Sequence, residues 1–293
     1  ALPISRLNYR STYPLILSLL FGSGSALGQA CSIDLGSDRT ICQGQTTTIT
    51  APAGYPNYLW STGSNASSIT VGTAGTYWGE ASYPTGNLAV NGNFSAGNTG
   101  FTSVFNYSNT LVTDGNYWIG TNAAAYHPQF LGTGNGQFLM VNAGWQQPGW
   151  RFWCQTVAVC PGQTYTLSYR GVSLANTNPP ILTMFVNNDW TFQDHTLGAG
   201  QNQWQTFNTT WTAPAGVTSA EFCLQVSSGW GVGNDFGIDD ISIQSTVTMR
   251  DYVDVNVLPA PVFDLGPAAT RCVGQNLVLD ASVPGATYVW QDG

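Results

Sequence analysis

The chain has 293 residues, a formal net charge of −8 and only seven basic residues, all of them arginine. Cations this sparse exclude nucleic acid and an anionic membrane surface as partners, because both need clustered Lys/Arg. Charged residues are 8% of the chain, Gly, Ser, Thr and Asn are abundant and long helical patterns are missing, which is the composition of an all-β extracellular protein.

Residues 1–30 read as a secretory signal peptide. Arg6 and Arg10 precede an apolar run at 15–21, and Gly28-Gln29-Ala30 is a small-residue cleavage site. The run is too short to span a bilayer, so no membrane insertion is expected; the alternative is a buried first strand. Cys31 after the cut would suit a lipid anchor, but Leu27 stands one position too far upstream for a lipobox.

The next segment, 31–86, gives short strands at 46–51, 58–60, 68–71 and from Gly75 through Trp78, separated by Gly, Pro, Asn and Ser. That spacing indicates a sandwich. Cys42 and Trp60 are placed as in an Ig-like core, and the Gly75-Thr76-Tyr77 strand is where a tyrosine corner would sit. The pattern returns at an offset of 230 residues: Asp34-Leu35-Gly36, Thr40, Cys42, Gly44, Gln45, Ala51, Tyr58, Trp60 and Gly63 recur as Asp264-Leu265-Gly266, Thr270, Cys272, Gly274, Gln275, Ala281, Tyr288, Trp290 and Gly293. Residues 261–293 are thus a second repeat, cut short.

One strand of the first unit is missing after Ala81. Val253, Val255 and Val257 alternate with polar residues and should supply it by pairing with 75–81, so that 246–260 completes the first unit. Residues 87–245 then form an insert, with three tandem domains as the alternative. Strands are expected in it at 137–141, 153–159, 163–169, 181–186, 204–211, 220–226 and 236–243, which suits a jelly roll. The fold class is all-β: Ig-like sandwich repeats with an inserted jelly-roll β-sandwich. Cys154 and Cys223 lie in apolar strand patterns and are the preferred disulfide, with Cys31 and Cys42 as a second pair, Cys160 unassigned and Cys272 lacking a partner. Several of these could instead be buried thiols. Two histidines and no CxxC spacing argue against zinc.

The motif Asp-Leu-Gly…Cys-x-Gly-Gln…Tyr-x-Trp…Gly-Thr-Tyr, over 31–83 and 264–293, resembles the Ig-like (PKD-like) repeats of secreted bacterial surface proteins associated with gliding motility and type IX secretion. The ends of the insert, Asn91-Gly92-Asn93-Phe94 with Thr99-Gly100-Phe101 and Asn234-Asp235-Phe236-Gly237-Ile238-Asp239-Asp240-Ile241, resemble galactose-binding-like, carbohydrate-binding-module jelly rolls. The resemblance implies first and last strands that meet, and a structural calcium between them. Ser95, where such proteins usually carry an acid, departs from the pattern.

No catalytic set is legible. Glu80 and Glu221 fall in different units, and Asp189, Asp194 and His195 share a loop that is more simply solvated. Loop aromatics with amides nearby suit sugar recognition, since flat rings cover C–H faces and amides meet hydroxyls. The candidates are Tyr117, Trp118, Tyr126, Trp145, Trp190 and Trp230, whereas Trp153, Trp204 and Trp211 read as core. Adjacent Asp239 and Asp240 in an apolar strand, with Asn93, are candidate calcium ligands; otherwise one Asp caps a turn and the other is solvated. The reading is a non-enzymatic, secreted or cell-surface protein whose insert binds an extracellular glycan or surface polymer beside neighbouring Ig-like repeats. Its rival is a purely structural stalk.

Overall fold

A computed structural model describes residues 29–144, 149–187, 194–228, 231–260, 262–281, 287 and 289–290. The described chain is all-β, with one 3-10 turn at Ala123–Ala125, and none of its helices is long and apolar enough to cross a membrane.

The first unit contains β1 (Arg39–Cys42), β2 (Thr47–Thr50), β3 (Asn57–Trp60), β4 (Ser68–Val71) and β5 (Gly75–Pro84). After ten further strands the chain returns to it as β16 (Thr246–Leu258), giving a four-stranded sheet β1-β16-β5-β3 that faces the pair β2-β4. β16 runs antiparallel to β5, with Val253 opposite Tyr77 and Val255 opposite Gly75. Val257 lies opposite Ile41 of β1 in a parallel pair, and not opposite β5 as expected. The strand also starts five residues earlier than the valines suggest, because Val247 and Met249 continue the inward alternation. Fully burying a valine contributes about 1.5–3 kcal/mol, which fixes the register on this face.

Trp60 is the centre of that core, with its indole N–H donating to Ala66 O at 2.7 Å. Gly79 is required beneath it, since a Cβ there would lie 2.8 Å from the ring. Tyr77 reaches back to Thr73, donating its hydroxyl to the carbonyl at 3.1 Å, which is the bond a tyrosine corner makes.

The repeated motif folds the same way twice at the level of turns. Gly36 N–H donates to Asp34 Oδ1 at 2.7 Å, and Gly266 N–H to Asp264 Oδ1 at 2.8 Å. Gln45 and Gln275 each bond the backbone N–H of the cysteine three residues before, Cys42 and Cys272, through Oε1. The glycines between sit at φ 86° in both copies, in the left-handed region that favours glycine. Burial differs. Leu35 is core, its N–H held by Asp251 of β16, whereas Leu265 is exposed and the described residues of 262–290 form no strand.

Between β5 and β16 lie β6 (Asn106–Tyr107), β7 (Asn116–Asn122), β8 (Thr133–Asn142), β9 (Arg151–Ala158), β10 (Thr164–Ser173), β11 (Ile181–Val186), β12 (Asp194–Thr196), β13 (Gln205–Thr212), β14 (Ser219–Ser228) and β15 (Phe236–Gln244). They form a six-stranded sheet β13-β10-β15-β8-β7-β6 and a four-stranded sheet β12-β11-β14-β9. The two pack as a sandwich over an apolar core that includes Phe152 against Phe236, with ring centroids 4.8 Å apart. Entry and exit of this segment run side by side: Thr85 N–H donates to Ser245 O at 2.9 Å and Leu88 N–H to Ile243 O at 2.8 Å.

Cys154 and Cys223 face each other on β9 and β14 and are disulfide-bonded. The expected Cys31–Cys42 bond is corrected: Cys31 is bonded to Cys160, and Cys42 is a free, exposed thiol, as is Cys272. The β1 turn directs Cys42 to solvent, while Cys160 sits in the first unit's core at the rim where the two sandwiches meet. A sulfur held in a disulfide cannot carry a thioether lipid. The same seam is tied by Gln163, whose amide exchanges hydrogen bonds of 2.9 and 3.1 Å with Thr248 backbone atoms.

Candidate functional site

The pleat of β7 sorts its aromatic residues. Tyr117 faces the sandwich core, 6% exposed, with its hydroxyl on Asn98 Oδ1 at 2.8 Å. It is therefore withdrawn as a ligand contact; the expected loop is a strand, and adjacent residues on a strand face opposite ways. Trp118 points outward, half-buried, and stacks on Tyr107 with ring centroids 4.4 Å apart and planes at 20°. Tyr107 is 44% exposed. Tyr126, from the turn after β7, lies 5.9 Å from Trp118. The Trp118 indole nitrogen is buried and has no hydrogen-bond partner among the described residues. These three rings form a patch at the β6–β7 edge of the six-stranded sheet.

The same turn leads into a cleft of about 490 Å³. Tyr126 belongs to the patch, while His127 and Phe130, with rings 4.2 Å apart, belong to the cleft wall. Asp114 and Asp235 also line it, with Asn142 and Gln201. Asp235 is buried, and its Oδ1 accepts the N–H of Ala143 at 3.0 Å. Burial pushes its carboxyl up to about 7, helped by the negative charge of Asp114 and opposed by the Ala143 bond. Burial also holds His127 below the usual imidazole range, so it is neutral near pH 7. Asp114 carries no sequence signal and Asp235 stands only within the closing motif of the insert, because their meeting depends on the β7–β8–β15 order.

Trp204, read from sequence as core, is not in the sandwich interior. It lies half-buried on the outer face of the six-stranded sheet, under Arg170 at 5.1 Å, with its N–H on Thr133 O at 2.9 Å. An odd separation from the inward Trp211 is the signal that places it on the opposite face. Trp145, Trp190, Trp230 and Asp189 lie outside the described residues.

The candidate calcium ligands do not converge. Asn93 and Asp240 line one concavity with Asn87 and Gly92, but Asp239 is not part of its wall. Asn93 Oδ1 accepts from its own turn, from Ser95 N–H at 3.3 Å and its hydroxyl at 2.9 Å. A one-residue bulge in β15, with Asp240 at φ 51°, turns Asp240 out to Arg170 at 3.2 Å. Asp239 stays buried, its Oδ1 accepting Asp240 N–H at 2.8 Å, and burial pushes its carboxyl up to about 6. Two of the nearby backbone oxygens already accept hydrogen bonds, Gly92 O from Ile241 N–H and Ile241 O from Asn87. In this arrangement the three candidate ligands do not share one site, and the cation at Asp240 is Arg170.

Asp194 and His195 diverge on β12. Asp194 accepts hydroxyl bonds from Thr183 and Ser227, whereas His195 stacks on Phe207 at 4.8 Å and bonds Tyr169. Glu80 pairs with Arg250 in the first unit and Glu221 with Arg151 in the insert.

No family model and no curated protein matches the chain. The solved structures it is similar to include carbohydrate-binding modules. A Family 16 Carbohydrate Binding Module-2 matches at 21% identity and TM-score 0.34, over 54% of this chain and 99% of that one. A CBM4 structure matches at 17% identity and TM-score 0.34, again over 54% and 99%. The CBM22-1 xylan-binding domain of Xyn10C from Paenibacillus barcinonensis matches at 12% identity and TM-score 0.32, over 56% and 92%.

Proposed function

We propose that residues 87–245 are a carbohydrate-binding module with no catalytic task, carried between Ig-like spacers on a secreted or surface-displayed bacterial chain. The observation that carries this is the ring patch of Tyr107, Trp118 and Tyr126 beside a cleft lined by amides and carboxylates. A pyranose covers such rings with its C–H face, and its hydroxyls take the amide and carboxylate hydrogen bonds. The rings are clustered at one sheet edge, whereas a pure spacer would have them scattered. Two disulfides suit an oxidising compartment, which supports secretion. The repeated turns at 34–45 and 264–275 support the spacer role.

A glycan array probed with the full chain, followed by calorimetry on the best neutral oligosaccharide, tests the reading. Trp118→Ala should weaken binding by about 1–3 kcal/mol while leaving the fold intact. A folded chain that retains no glycan returns the insert to the structural stalk.

A further inference from the structure

The cleft beside the ring patch permits a narrower assignment, which rests on the carbohydrate reading above. We infer that it is a subsite for a protonated amino sugar, a hexosamine whose ammonium group lies between Asp114 and Asp235.

The wall of the cleft is rich in hydrogen-bond acceptors. Asp235 is 5% exposed, and among the described residues the one hydrogen bond to its carboxyl is the Ala143 N–H on Oδ1, so its second oxygen is left to whatever enters the cleft. Asp114 receives no hydrogen bond from any described residue; it sits over Gly144, where a Cβ would lie 1.9 Å from its Oδ2. Asn142 commits an amide N–H to Leu111 O, and Gln201 commits its amide nitrogen to Gln129 O and Leu174 O, so what each has left to offer a ligand is chiefly its amide oxygen. No lysine exists in the chain and no arginine lines the cleft. His127, the one basic side chain there, is desolvated and neutral near pH 7.

Two carboxylates side by side, one of them buried, are costly when both are charged, and in the ligand-free fold a proton on Asp235 relieves that cost. A sugar ammonium can take the place of that proton, supplying the counter-charge and three N–H donors to a wall of acceptors. A bare divalent ion would use six to eight oxygens drawn tightly around it, whereas this cleft has the room for a sugar ring, with the half-buried His127 ring, backed by Phe130, on its wall. A uronic acid or sulfated sugar would be repelled.

The test is calorimetry of the full chain against a glucosamine tetramer, its N-acetylated counterpart and a neutral glucose tetramer at pH 7. The free amine should bind about tenfold or more tightly than the acetylated sugar. Asp235→Asn and the more exposed Asp114→Asn should each collapse that preference, and Asp254→Asn, on the first unit, should leave it unchanged and so exclude attraction to net charge. Equal affinity for amine and acetamide overturns the inference, as does a preference that survives both substitutions. Calcium that raises the melting temperature of the wild type but not of Asp235→Asn, with no amine preference, would assign the carboxylates to a divalent cation instead. Neutral sugars bound and lost in Trp118→Ala, without amine preference, would sink this inference alone. No sugar bound at all would sink the carbohydrate reading with it.

Discussion

Replacing Asp235 by Asn should flatten the dependence of stability on pH. In the fold burial raises the carboxyl to about 7, against an ordinary 3.8. The folded state therefore holds a proton between those values that the unfolded state has released. With fewer protons bound when unfolded, stability falls as pH rises across this window, by about 1.4 kcal/mol per pH unit and about 4 kcal/mol in all. Relaxation around the charge makes that an upper figure. Asn keeps the oxygen that accepts Ala143 N–H and cannot ionise. Urea unfolding followed by tryptophan fluorescence should show wild type and Asp235→Asn within about 1 kcal/mol at pH 4, with the variant more stable by roughly 2–4 kcal/mol at pH 8. Asp239, raised to about 6, and the two histidines, lowered by burial, are present in both chains and cancel in the difference. Parallel profiles from pH 4 to 8 would refute the assignment of a buried, protonated Asp235.

Gly92→Ala should destabilise the insert by roughly 3 kcal/mol, because its Cβ would meet Ile241 O at 2.1 Å and neither backbone can yield easily; an unchanged melting temperature would contradict that close approach. Cys160→Ser should cost about 2–4 kcal/mol and expose Cys31 to maleimide. Labelling of Cys31 in the unreduced wild type would show that the bond is not formed. Because Arg170 serves Asp240, EDTA should leave the melting temperature unchanged. A drop on chelation that calcium reverses would place an ion at the Asn93–Asp240 concavity.

What was legible in the sequence is what local pattern encodes. The alternation at 253–257 names a strand with one buried face, and the Asp-Leu-Gly and Cys-x-Gly-Gln turns form even where the described second repeat has no sheet behind them. Cys154 and Cys223 were readable because both sit in apolar strands that a sandwich places together. Cys31 was not, since its partner lies 129 residues away across a seam between two sandwiches. Within the candidate site, Trp118 and Tyr126 were found by composition, but strand parity was needed to reject Tyr117 and to move Trp204 out of the core. Tyr107 was passed over, and Asp114 with Asp235 had to be brought together by the sheet order before either looked unusual.

The parallel pairing of β1 with β16 has a mechanical consequence. Tension applied to the chain on either side of residues 31–260 enters at the start of β1 and leaves at the end of β16. It loads the ladder from Arg39–Val255 to Cys42–Leu258 in shear, so its hydrogen bonds must fail together rather than unzip one by one. The Cys31–Cys160 bond also carries tension into the inserted sandwich at residue 160, so in the oxidised chain the two sandwiches share the load. Reducing that one bond would leave the ten inserted strands looped out behind the β1–β16 ladder, with yielding then governed by the unfolding barrier of the first sandwich.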